Sequence, residues 1–153
     1  RARKLAPHAD LSVDDREVQR GGPSYMADTL ASIRDEAGDL PVMLCLGQDA
    51  ANHLDQWHEW RRLLDLAHLV VMTRPDAEPG YSESLAAHLE GRFVESPGSL
   101  MDRAAGCLCN VNVTRLAISS TDIRQQIAKG RNPRFLLPST VLAYIRKHGL
   151  YHS

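Results

Sequence analysis

No run of apolar residues in this 153-residue chain approaches the ~20 that a bilayer-crossing helix needs, so an integral helical membrane protein is not expected. An excess of positive charge is also missing. Eighteen Lys and Arg stand against nineteen Asp and Glu, for a net charge of −1. Broad nucleic-acid binding wants a basic face, and an aromatic content of 5% supplies no stacking platform for single strands either. The opening Arg1-Ala2-Arg3-Lys4, followed by Leu5-Ala6-Pro7-His8, has no apolar core of a signal peptide. Cysteine is scarce: Cys45, Cys107 and Cys109 are an odd number, too few for a disulfide framework. Cys107 and Cys109 would share one side of a strand, but a metal site would need two further ligands. Buried free thiols in a reducing cytoplasm are the expectation. What remains is an ordinary soluble composition, 43% apolar and 24% charged, enough for one domain over residues 1–153.

The order of elements reads as alternating strands and helices. Leu11-Ser12-Val13 suggests a short strand, with polar Asp14 to Arg16 after it. Pro23-Ser24 announces a helix to Ala37, with Leu30, Ile33 and Ala37 at helical spacing and Gly38 as its stop. Pro41 to Leu46 and Leu69 to Met72 are continuous apolar runs, the mark of strands buried on both faces. Helical pieces fall between Ala50 and Leu66 and from Ser82 to Leu89. Asp76 to Gly80 reads as a turn, Phe93-Val94 as a weak strand, Pro97-Gly98-Ser99 as a loop, and Cys107 to Val113 as a strand. Helices at Thr121–Lys129 and Ser139–His148 each stop at a glycine. The pattern predicts an α/β fold with a parallel sheet, whose ligand crevice lies beyond the carboxyl ends of the strands. Gly47-Gln48-Asp49 and Ser119-Ser120 both fall there. The sequence has no internal repeat, low-complexity run or interdomain linker.

Ile118-Ser119-Ser120-Thr121-Asp122-Ile123-Arg124 is the most telling local stretch. Free N–H groups at a helix start form an anion site. Ser119 and Ser120 add hydroxyl donors, and Arg124 adds a planar fork suited to phosphate oxygens. A polyphosphate cradle is one reading. An ordinary serine cap with an exposed arginine is the other. Gly47 and Asp49 likewise read as either a ribose site or a strand-end turn with a capping aspartate.

Taken together, five motifs in one order resemble the nicotinate-mononucleotide adenylyltransferases of the nucleotidyltransferase superfamily. They are Pro23-Ser24-Tyr25 leading into Asp28-Thr29-Leu30; Gly47-Gln48-Asp49; Trp57-His58-Glu59-Trp60 ahead of Leu63-Leu64; His68-Leu69-Val70-Val71 with Arg74-Pro75; and ISSTDIR with Phe135 to Tyr151. The resemblance implies a Rossmann-like parallel sheet with helices on both faces. It also implies transfer of AMP from ATP to nicotinate mononucleotide, giving nicotinate adenine dinucleotide and pyrophosphate in NAD biosynthesis. No covalent intermediate is needed, because the attacking phosphate is already anionic and catalysis is mostly positioning and charge neutralisation.

By resemblance, Ser119, Ser120 and Arg124 hold the ATP β- and γ-phosphates, with Mg2+ bridging phosphates rather than caged by protein. Gly47 and Asp49 take the adenosine ribose. Trp57 stacks on the pyridine ring, while the backbone N–H of His58 and the Tyr25-Met26 helix start meet the nicotinate carboxylate. Trp60 reads as core packing. Many relatives carry threonine where Met26 stands, so the hydroxyl that helps select acid over amide is lost here. Arg115 stands where a proline is frequent.

The family's opening strand and its Gly-rich loop with His-x-Gly-His are absent. None of the seven histidines takes over their role at the α-phosphate; His53 and His58 read as surface or substrate-adjacent. No catalytic or metal-ligating residue is assigned. The chain is therefore expected to be a fragment or truncated form, inactive and poorly stable alone. A non-catalytic nucleotide-binding module that kept the cradle is an alternative, and a sister adenylyltransferase acting on nicotinamide mononucleotide or phosphopantetheine is another. Helix faces leave a homo-oligomer open, and no nucleic-acid or membrane partner is expected.

Overall fold

A computed structural model describes residues 12–73, 78–113, 119–133 and 136–151. The chain divides into two compact units, residues 15–115 and residues 1–14 with 116–153.

The first unit is built on a four-stranded parallel sheet in the order β1-β2-β4-β3, with β1 at Met43–Gly47, β2 at His68–Thr73, β3 at Phe93–Val94 and β4 at Leu108–Asn112. Its helices are α1 (Arg16–Arg20), α2 (Met26–Ala37), α3 (Gln48–Asn52), α4 (Leu63–Leu66) and α5 (Glu83–Leu89), with short 3-10 turns at Leu54–Gln56, Trp60–Arg62 and Pro97–Asp102. Successive strand residues face opposite sides, and the packing follows that alternation. Leu46, Leu69, Val71 and Leu108 join Ala27, Leu30, Leu63, Leu64, Leu85 and Leu89 in the main core. Val70, Val94, Cys107, Cys109 and Val111 pack on the other side around Leu100.

Local chemistry sets the element ends. Tyr25 enters α2 with extended backbone, and Gly38 leaves it at φ +58°, its N–H bonded to the Arg34 carbonyl. Arg34 then ties the helix end down. Its guanidinium donates to the carbonyls of Leu66, Gly38, Leu40 and Ala104 at 2.6–3.0 Å. Ser82 caps α5 by accepting from the Leu85 N–H, and Ser96 caps the Pro97 turn. Fully buried His68 accepts from the Cys107 N–H at Nδ1 (3.1 Å) and donates from Nε2 to the Arg103 carbonyl (2.9 Å).

The second unit holds α6 (Ser120–Ala128) and α7 (Ser139–Lys147). Ile123 and Ile127, one turn apart on α6, pack with Ile145 of α7 and with Leu136, Leu137 and Val141. Gly130 at φ +69° and Gly149 at φ +58° follow the two helices.

Several expectations are corrected. Ser12 and Val13 form no strand, Leu11 lying outside the described residues, and Arg16–Arg20 is helical instead. That helix buries no residue, so it has no apolar period to read. The Pro97 segment is a six-residue 3-10 helix rather than a loop, anchored by fully buried Leu100. The Pro41–Leu46 run is not buried on both faces. It becomes an edge strand of the described sheet, with Met43 and Cys45 exposed on the face that Leu100 covers further along. Cys107 and Cys109 are buried as expected, and Cys45 is not. Of the anticipated Asp76–Gly80 turn, Asp76 and Ala77 lie outside the described residues, as do Arg74, Pro75, Arg115, Ile118 and Phe135.

Candidate functional site

Four residues singled out in two separate motifs meet in one place. Tyr25 and Met26, at the start of α2, line a cavity of about 340 Å³ with Trp57 and His58. Ser24 and Glu17 complete the lining. The extended backbone of Tyr25 leads into α2, and Met26, the first residue of the helix, lines this space. On the opposite side of the sequence, the 3-10 turn ends at Trp57, whose N–H donates to the Leu54 carbonyl at 3.0 Å. The chain then passes through Glu59 in the left-handed region (φ +49°), a conformation that non-glycine residues seldom take. The His58 ring lies against Tyr25, centroids 4.2 Å apart and tilted by 31°.

The two tryptophans separate as their neighbours dictate. Trp57 is half-buried, at once a cavity wall and a packing partner of the core. Trp60 is 9% exposed, meets His88 edge-on at 5.1 Å, and carries the Arg61 guanidinium 4.3 Å above its ring. Trp57 follows one 3-10 turn and Trp60 opens the next, and neither lies on the helix of Leu63 and Leu64. Trp60 is core, as the sequence suggested.

Gly47 ends β1 and begins α3, with open space where a side chain would stand, and Asp49 is exposed in the first turn. Both sit at the carboxyl end of the strand. Between them, Gln48 is 2% exposed and donates to Asn52 Oδ1 (2.8 Å) and Tyr81 Oη (3.3 Å). Asn52 also holds the Glu78 carbonyl and the Gly80 N–H.

In the second unit, Ser119 caps α6. Its Oγ accepts from the Asp122 N–H at 3.0 Å and donates to the Asp122 carboxylate at 2.6 Å. Ser120 and Arg124 are exposed, the guanidinium reaching Thr121 Oγ1 at 3.3 Å. The capping arrangement occupies one hydroxyl of the three anticipated groups and leaves the other two facing solvent.

Glu17 was not singled out by any motif, and its place in the cavity lining comes from the fold of α1 onto α2. Its Oε1 accepts from Thr29 at 2.6 Å. Burial pushes the Cys109 thiol up from its ordinary range, which keeps it protonated and poorly nucleophilic. Among the described residues, no cluster of three or more His, Cys, Asp or Glu side chains is placed to hold a metal ion. No helix among them is long and apolar enough to cross a membrane.

The cytidylyltransferase-like family model matches residues 5–126. A probable nicotinate-nucleotide adenylyltransferase of Methylococcus capsulatus is 48% identical over 141 residues, covering 92% of this chain and 67% of the relative. The chain belongs to the nicotinate-nucleotide adenylyltransferase family. A relative of the same description from Chromohalobacter salexigens is 45% identical over 143 residues, covering 92% of this chain and 65% of its own length. The chain spans about two thirds of the length of these curated relatives. The nicotinic acid mononucleotide adenylyltransferase of Plasmodium falciparum, solved with NaAD, aligns at a TM-score of 0.57 with 17% identity, over 84% of this chain and 58% of that one. Solved with APC, it aligns at 0.58 with 16% identity, over 86% and 60%. The shared fold is the Rossmann-like nucleotidyltransferase sheet.

Proposed function

We propose that the protein transfers AMP from ATP to nicotinate mononucleotide, with residues 1–153 forming part of a single nucleotidyltransferase domain. The observation that carries this reading is the cavity shared by Tyr25, Met26, Trp57 and His58. Thirty residues separate the two motifs, and nothing in their local propensities requires them to meet. An indole beside a helix start suits a planar ring bearing an anionic substituent: the indole supplies contact area, and the free N–H groups of the first turn of α2 supply donors.

In this reading Trp57 stacks on the pyridine, and the N–H groups of Met26 and His58 receive the carboxylate. Gly47 leaves room for the adenosine ribose while the Asp49 carboxylate accepts from its hydroxyls. Ser120, Arg124 and the start of α6 neutralise the β- and γ-phosphates, with Ser119 exchanging a bond to Asp122 for one to phosphate. The donor set of hydroxyls and guanidinium suits phosphate oxygens rather than a cation. Mg2+ would therefore arrive on the ATP, where it would neutralise charge on the departing pyrophosphate. A reaction that consumes ATP fits a cytoplasmic location.

Replacing Trp57 by alanine in the intact protein tests the reading. Loss of stacking and contact area is expected to raise KM for nicotinate mononucleotide about tenfold or more, with KM for ATP changed less than twofold. Equal losses for both substrates would instead mark Trp57 as core packing. Faster turnover of nicotinamide mononucleotide than of the acid would overturn the substrate assignment.

A further inference from the structure

Among the described residues Glu17 is the one carboxylate in the cavity lining, and its surroundings favour positive charge. Trp57 and the Tyr25–His58 ring pair line the same cavity. Aromatic faces attract cations through their quadrupole, and a carboxylate adds a full negative charge beside them. Fixing α1 in place does not by itself call for this carboxylate. Arg16 already donates to Ser32 (2.9 Å) and Glu36 (3.2 Å) on the outer turns of α2. The Glu17 carboxylate is itself held: it accepts from Thr29, a buried residue one turn along α2 from Met26. Three residues of helix correspond to about 4.5 Å. The cavity thus has helix N–H donors where α2 begins and a fixed negative charge about one turn further on.

We infer that Glu17 reads the positive charge of a quaternised pyridinium ring, so that the cavity separates the pyridinium mononucleotide from its neutral dihydropyridine form. This rests on the pyridine reading of the cavity. A pyridinium carboxylate is dipolar: its substituent matches the helix start and its ring nitrogen matches the carboxylate. The dihydro form keeps the shape and the substituent and lacks the ring charge.

Calorimetric titration of the intact protein with nicotinate mononucleotide and with its 1,4-dihydro form tests the inference. The wild type is expected to bind the pyridinium form about five- to tenfold more tightly, a modest factor for a half-exposed charge contact. Glu17→Gln keeps an acceptor for the Thr29 hydroxyl and removes the charge, so the preference should fall below about twofold. Thr29→Val removes the tie and keeps the charge, so the preference should persist. If Glu17→Gln fails to fold by thermal melting, Glu17→Asp serves instead, and must retain the preference. Equal affinity of the wild type for both ring forms, or an unchanged preference in Glu17→Gln, overturns the inference and leaves the pyridine reading standing. Absence of binding by either form removes the pyridine reading, and the inference with it.

Discussion

At the scale of single residues, buried polar groups are informative because their bonding can be counted in full. His68 occupies the first position of β2 with no exposed surface, and each ring nitrogen has a backbone partner. One nitrogen accepts and the other donates, which fits one tautomer of the ring. Leucine at this position fills similar space and strands the buried Cys107 N–H and the partly buried Arg103 carbonyl. At about 1–3 kcal/mol for each, His68→Leu is expected to destabilise the chain by about 2–4 kcal/mol in urea denaturation, with little change in slope. A loss under 0.5 kcal/mol would mean that the two groups find other partners. Ser119 poses a different question, since its hydroxyl already works as a cap. Ser119→Asp keeps a good cap but sets a negative charge where the triphosphate is proposed to lie. The expected result is an unchanged melting temperature with KM for ATP raised at least about tenfold. If KM for ATP stays at the wild-type value, the phosphate site lies elsewhere.

At the scale of elements, what the sequence disclosed depended on whether an element is held by apolar burial or by polar contacts. β1 and β2 were legible as continuous apolar runs and β4 by its alternation, and α5, α6 and α7 because apolar faces coincide with capping serine or terminating glycine. By contrast, α1 was hidden. It buries nothing, its one apolar residue Val18 is 85% exposed, and it is held through Arg16 and Glu17 by partners twelve to twenty residues away. The same reasoning explains why Tyr25, Met26, Trp57 and His58 could be singled out in advance while Glu17 could not: the four sit in recognisable motifs, whereas Glu17 joins them only through tertiary folding. The Arg34 clamp is likewise invisible in a linear reading, because its carbonyl partners span residues 38 to 104. Lysine can point one ammonium at such a cluster but cannot reproduce the fork. Arg34→Lys should therefore cost about 2–3 kcal/mol in thermal or urea unfolding, with carbonyls left unpaired. An effect within 0.5 kcal/mol would make the clamp incidental.

At the scale of the whole molecule, one face of the sheet is unevenly covered, and the three cysteines, all on that face, report on the difference. Leu100 and its 3-10 turn seal Cys107 and Cys109, which are buried. Further along the sheet, β1 and the end of β2 leave Met43, Cys45 and Met72 open to solvent. A thiol reagent needs both access and thiolate, and Cys109 is denied both, since burial also raises its pKa above the ordinary thiol value of 9.0. The native 153-residue chain is therefore expected to give one fast-reacting thiol in three, with the other two reacting only on unfolding. Cys45→Ser should abolish the fast phase. Two or three fast thiols would show that the Leu100 cluster does not exclude solvent, and none would show that the open face is covered. The same linkage has a sign in stability. The folded state holds the Cys109 proton where the unfolded chain releases it, so this contribution is complete below pH 9.0 and declines as pH rises beyond it. Cys109→Ala lowers stability at every pH through lost packing, yet its stability should fall less steeply above pH 9 than that of the wild type, because the proton linkage has gone with the thiol.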